Sequence, residues 1–128
     1  MDGLPERKAI VVVEDNEPIA ELIKDTLNAE PDYQAVVVVD GALALEVIRS
    51  VKASLILLDI NLPGLTGLQL YDILQADEAT QSIPVLFVTA NIMDPGLQRR
   101  GLSNCLAKPF DLDELLARVA AICRPEKS

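Results

Sequence analysis

Five side chains carry the groups from which a charged reaction centre could be built. They are Glu14 and Asp15 in "VVVEDNEP", Asp59 in "LILLDINLPG", Thr89 in "LFVTAN" and Lys108 in "CLAKPF". Carboxylates can seat a cation or act as nucleophiles, while an ammonium and a hydroxyl donate to anionic oxygen. The pair at 14 and 15 poses the sharpest question. Two like charges side by side repel, and neither is expected to retreat into a core. They are therefore either a solvated loop or a seat for something positive. For any one of the five, ordinary loop chemistry is the simpler account, so their joint placement has to decide.

That placement follows from the elements around them. Short, largely β-branched runs read as buried strands at Ala9 to Val13, Ala35 to Val39, Leu55 to Leu58 and Val85 to Val88, with a weaker one at Cys105 to Ala107. Helical patterns lie between them. Ile19, Leu22, Ile23 and Leu27 form one apolar stripe, and Leu112, Leu115, Leu116, Val119 and Ile122 another. Pro18 suits the start of the first helix. The last is predicted to be capped by Asp111, with Glu114 at the capping-box position, and to stop before Pro125. Ala42 to Arg49 and Leu68 to Ala76 supply two more, and Met93 to Arg100 a short, weakly marked one. Strands alternating with helices predict a parallel sheet covered on both faces. In such sheets ligands bind beyond the carboxyl ends of the strands. All five residues fall at such ends, on four different strands, which makes chance a poor explanation.

Composition bounds the function. The 128 residues fit a single domain, with a core expected over about residues 8–124. No linker, internal repeat or low-complexity segment divides them. Half the residues are apolar, but no run is long enough to cross a bilayer, and "MDGLPERK" lacks the apolar stretch of a signal peptide. A cytoplasmic location is the expectation. There is no histidine, and Cys105 and Cys123 show no metal-ligand spacing, which argues against zinc sites and histidine catalysis. A net charge of −9 and four aromatic residues argue against direct nucleic-acid binding.

"VVVEDNEP", "LILLDINLPGLTG", "IPVLFVTA" and "LAKPF", in that order and over nearly the whole chain, resemble a response-regulator receiver domain of two-component signalling. The resemblance implies a (βα)5 flavodoxin-like α/β fold with strand order 2-1-3-4-5. It also implies that Asp59 accepts a phosphoryl group from a histidine kinase or a histidine phosphotransfer protein. Asp15, Asp59 and the backbone carbonyl of Asn61 would coordinate Mg²⁺, with Glu14 acting mainly through bound water. A cis peptide before Pro109 would aim Lys108 inward. Elementary electrostatics supports these roles. Two carboxylates about 4 Å apart repel by roughly 4 kcal/mol at an effective dielectric near 20, so three need a cation. Mg²⁺ suits an all-oxygen site, and phosphoryl transfer asks chiefly for positioning and charge neutralisation. Lys108 would be a point charge for phosphate oxygens and Thr89 a hydrogen-bond donor.

Pro63, Gly64 and Gly67 shape the loop after the third strand. Asn61 and Asn91 are either solvated loop amides or the border of the path for the water that hydrolyses the phosphoaspartate. One departure from the family concerns output. Cys105 stands where receivers usually carry Tyr or Phe, three residues before the strand-five lysine, and the segment from Thr89 to Lys108 is shorter by roughly one helical turn, about 5 Å. Asp94, Pro95 and Gly96 are expected to weaken the fourth helix. The favoured expectation is that no aromatic switch operates and that this region responds by ordering or shifting as a loop.

Three other functions compete. An aspartate-nucleophile phosphatase resembles D-x-D with a second acid, and "DIN" places Asn61 there instead. A nucleotide or flavin binder would want a Gly- or Ser/Thr-rich loop after the first strand, where "EDNEP" offers carboxylates. A degenerate receiver, acting as a phosphorylation-independent binding module, would not need Asp59, Thr89 and Lys108 together. The chain ends soon after the last helix, so no output domain is expected within it. Output is then expected through a downstream protein target, without direct nucleic-acid contact or membrane insertion.

Overall fold

The computed structural model describes residues 7–123. Ten elements alternate strictly: β1 (Lys8–Val13), α1 (Glu17–Asn28), β2 (Tyr33–Val38), α2 (Gly41–Val51), β3 (Leu55–Asp59), α3 (Gly67–Gln75), β4 (Val85–Thr89), α4 (Pro95–Arg99), β5 (Cys105–Ala107) and α5 (Leu112–Cys123). The five strands are parallel and lie in the order β2-β1-β3-β4-β5. The parallel sheet is the one the alternating pattern predicts, and the flavodoxin-like strand order is the one the resemblance implies.

The strand side chains alternate between two cores, as the period of two requires. Ile10, Val12, Leu55, Leu57, Leu86 and Val88 pack under α1 and α5, with Ile23, Leu27, Leu115 and Val119. Val11, Val13, Ile56, Leu58 and Phe87 pack on the other side against Ala44, Ile48, Leu70, Leu74 and Leu97 from α2, α3 and α4. Burial on both faces explains why β1, β3 and β4 read as unbroken apolar runs.

Helix starts follow local chemistry. Asn16, Asp40 and Asp94 cap α1, α2 and α4 by accepting from the first-turn amides. The capping box expected at Asp111 and Glu114 does not form, since Asp111 makes no side-chain bond to the first turn of α5. The reciprocal pair is found at α3, where Thr66 accepts from the Gln69 amide and Gln69 accepts from the Thr66 amide. Capping spacing permits the bonds without requiring them. Val39, expected to end β2, lies beyond it and is 45% exposed. The expected stop of α5 before Pro125 lies outside the described residues. Asp94 and Pro95 initiate α4, at its cap and in its first turn, where proline's missing amide costs no intrahelical bond. The shortness of α4 therefore lies in its early end at Arg99. No helix among the described residues is long and apolar enough to cross a membrane.

Candidate functional site

Register brings the five residues onto one rim. Val13 of β1 is level with Leu58 of β3, Asp59 with Val88 of β4, and Thr89 with Ala107 of β5. Glu14, Asp59, Thr89 and Lys108 therefore emerge at neighbouring strand ends. The Lys108 amide extends the ladder by donating to the Thr89 carbonyl at 2.8 Å, and the Glu14 amide donates to the Val38 carbonyl at 3.1 Å.

Lys108 organises the centre. Its Nζ lies 2.9 Å from Glu14 Oε1 and 3.1 Å from Asp59 Oδ2. The peptide bond between Lys108 and Pro109 is cis, as the resemblance implies. The remaining carboxylate oxygens are engaged as well. Glu14 Oε2 accepts from the Asn16 amide at 3.2 Å, and Asp59 Oδ1 from the Asn61 amide at 3.0 Å. Asp15 completes the acidic group, and one oxygen from each of Glu14, Asp15 and Asp59 lies within 4.8 Å of the others.

Burial divides the three acids, against the expectation that neither of the first two could enter the core. Glu14 is 2% exposed and Asp59 5%, whereas Asp15 is exposed. Glu14 can be buried because a full charge partner comes from β5 and a backbone amide covers its second oxygen. Burial raises the Glu14 carboxyl above its usual range, and Lys108 opposes that shift. For Lys108, burial alone would depress the ammonium, but its bonds to Glu14 and Asp59 prevail and raise it. The three carboxylates and one ammonium leave a formal surplus of two negative charges, which a divalent cation among oxygen donors would balance.

Thr89 is 1% exposed, and its Oγ1 accepts from the Asn91 amide at 3.1 Å. Asn91 is turned to the lead-in of α4, where its Oδ1 accepts from the Met93 amide at 3.0 Å. Cys105 is half-buried against the α2–α3–α4 core, level with Phe87, whose ring packs at 5.4 Å on Tyr71. Gly67 faces the Asp59 backbone. A Cβ there would lie 2.1 Å from the Asp59 carbonyl oxygen, so only glycine permits α3 to start so close. Asn16, which both caps α1 and covers Glu14, was not singled out by sequence. An amide-bearing cap next to two acids was the available signal.

A family model described as the response regulator receiver domain matches residues 10–120. The chain belongs to this family. Receiver domains are signalling modules of two-component systems and are generally not enzymes. The DNA-binding response regulator MtrA of Mycobacterium tuberculosis is 35% identical over 122 residues, 92% of this chain and 51% of that protein. The chain thus spans about half the length of the curated relatives it matches. Among solved structures, the receiver domain of a LuxO repressor protein from Vibrio parahaemolyticus superposes with a TM-score of 0.81 at 30% identity, covering 93% of this chain and 92% of that one. The receiver domain of the sensor histidine kinase PA1611 from Pseudomonas aeruginosa, which has a magnesium ion in its active-site cleft, gives 0.82 at 27% identity, covering 92% and 98%.

Proposed function

We propose that this receiver domain is a Mg²⁺-dependent phosphoacceptor switch. Asp59 takes the phosphoryl group from a histidine kinase or a histidine phosphotransfer protein, and a downstream protein reads the result. The observation that carries this reading is the ammonium of Lys108 bridging Asp59 and Glu14 among three clustered carboxylates. The neighbour with magnesium in its cleft supports the choice of ion.

In the transfer, an Asp59 carboxylate oxygen attacks phosphorus as the P–N bond of the phosphohistidine breaks, and the imidazole leaves with the bonding electron pair. Lys108 shifts its charge from the free carboxylate to a phosphoryl oxygen, and the Thr89 hydroxyl donates to another. Asp15, Asp59 and the Asn61 backbone carbonyl would hold Mg²⁺. Both Glu14 oxygens are already engaged, which suits a contribution through bound water. The chemistry a bound Mg²⁺ supplies is neutralisation of charge shared by the carboxylates and the phosphoryl oxygens.

Incubation with acetyl phosphate and Mg²⁺ should add about 80 Da, one phosphoryl group, to the intact protein. Asp59→Asn or chelation should abolish the gain. A gain that survives either treatment removes Asp59 or the metal from the mechanism. No gain in the wild type points to a phosphorylation-independent binding module.

A further inference from the structure

Asp59 is followed by a tight loop whose two sides meet different elements. On the α3 side the loop is pinned, because the Gly67 amide donates to the Ile60 carbonyl at 2.9 Å and the Asn61 amide to Asp59 Oδ1 at 3.0 Å. On the α2 side it rests on Gly41, the buried first residue of that helix. A Cβ at residue 41 would lie 2.7 Å from the Leu65 carbonyl oxygen and 3.3 Å from Leu65 Cβ. The closer obstacle is backbone, which cannot swing aside as a long side chain can. Restoring ordinary contact at 3.4 Å would require a retreat of about 0.7 Å. The helix is unable to yield, because Ala44 and Ile48 of α2 are fully buried in the core. Leu65 is only half-buried, so the loop has to move.

We propose that Gly41 is a positioning residue for phosphoacceptor chemistry: lacking a side chain, it lets the Leu65 backbone dock on α2 and thereby fixes Asn61 beside Asp59. The functional half of this inference rests on the phosphoacceptor reading above. The docking half rests on geometry alone. Gly41 touches none of the charged groups. It acts through the loop that carries Asn61, whose amide orients the acceptor and whose carbonyl is assigned to the metal. Outer groups that orient metal ligands typically change affinity by about 10- to 100-fold when altered.

The test uses the full chain with Gly41→Ala, Leu65→Gly and Gly101→Ala. Alanine at a first-turn position is itself compatible with helix, so Gly41→Ala introduces little beyond the contact with Leu65. Leu65→Gly keeps the backbone contact but deletes the side chain that anchors it and frees the loop's dihedrals without adding an atom, so it loosens the docking and covers the case in which Gly41→Ala does not fold. Gly101, at φ +66° and after α4, is a control for strain remote from the loop. Without metal, amide exchange at Asn61 should quicken about tenfold in the first two variants, as local docking is lost. Their Mg²⁺ midpoints, read from loop amide shifts, should rise about tenfold, and phosphorylation at saturating Mg²⁺ should recover. Gly101→Ala should leave both readouts unchanged. The inference is overturned if Gly41→Ala folds with wild-type Asn61 exchange and Mg²⁺ midpoint, or if Gly101→Ala shifts them equally. Faster Asn61 exchange in Gly41→Ala, together with a wild type that neither binds Mg²⁺ nor accepts phosphoryl, would uphold the docking and remove the phosphoacceptor reading.

Discussion

Replacing Lys108 by methionine keeps the unbranched apolar stem, one atom shorter, and deletes the charge, which isolates what the ammonium does for the folded state. Its two contacts, at 2.9 and 3.1 Å, each represent on the order of 5 kcal/mol of gross attraction at an effective dielectric near 20. Without it, the Glu14 and Asp59 carboxylates face each other within 4.8 Å, a repulsion of roughly 3 kcal/mol on the same scale. Breaking a buried pair by removing one partner typically costs about 3–5 kcal/mol. Protonation sets a ceiling on that loss. A carboxyl with an ordinary value of 4.5 takes up a proton at pH 7 for about 3.4 kcal/mol, and at pH 5 for about 0.7. The Glu14 carboxyl, already raised by burial, would be raised further in the variant. Its protonated native form is favoured as pH falls, so the deficit is present at neutral pH and lost towards pH 5. Thermal melts in EDTA should therefore show Lys108→Met about 3 kcal/mol less stable at pH 7, roughly 10 °C in Tm, and nearly equal to wild type at pH 5. Adding Glu14→Gln should restore most of the loss at pH 7. A deficit of the same size at both pH values, or none at pH 7, would refute the electrostatic account of the centre.

The remaining expectations concern the metal, an ion pair and the output region. Mg²⁺ at tenfold excess over its Kd should stabilise the wild type by about 1.4 kcal/mol, near 5 °C. Asp15→Asn should raise the metal-free Tm and lose this response, and a variant less stable without metal counts against charge frustration at Asp15. Arg100 clamps Asp72 through two bonds, at 2.9 and 2.6 Å, and holds its carboxyl below the usual 3.8. That contribution is present above pH 3.8 and lost as pH falls through the lowered value. Asp72→Asn should therefore cost only about 0.5 kcal/mol at pH 7 for so exposed a pair, and nothing in strong acid, as melts at both pH values can check. Phosphorylation, or beryllofluoride in its place, should perturb amides from Asn91 to Gly101 far more than the Cys105 environment. Unchanged amides there, with Cys105 moving between exposed and buried states, would show the opposite route.

Legibility in the sequence followed the range of the interaction. The apolar runs of β1, β3 and β4 announce a sheet covered on both faces because burial alone determines them, and Asp59, Thr89 and Lys108 stand out because strand ends fix where ligands meet such a sheet. The burial of Glu14 was not legible. Two adjacent acids look equally wet until β5 brings an ammonium to one of them, and that meeting depends on the order of strands rather than on local pattern. Capping was misread for a related reason: Asp111 and Glu114 have the right spacing, yet the reciprocal bonds form at Thr66 and Gln69. The seat of Leu65 on Gly41 joins distant segments through one missing methyl group, and no periodicity reports it.

Under the proposed function, output from Thr89 needs no aromatic ring. From Thr89 the chain advances by short side-chain-accepted turns, each tying an oxygen to an amide two residues on: Thr89 to Asn91, Asn91 to Met93, and Asp94 to Gly96. The far end of α4 is held differently, by the full burial of Leu97 and the Arg100 clamp on α3. A pull on the Thr89 hydroxyl therefore reaches a segment loosely tied at its start and firmly tied at its end. Cys105 offers no comparable lever. It is small, and the core beside it is filled by Phe87 on Tyr71, so there is little volume for it to exchange. Residues 91–96 are tied by these side-chain-accepted turns and by the Asp94 amide donating to the Asn91 carbonyl at 3.2 Å, so displacement at Thr89 is expected to run along them.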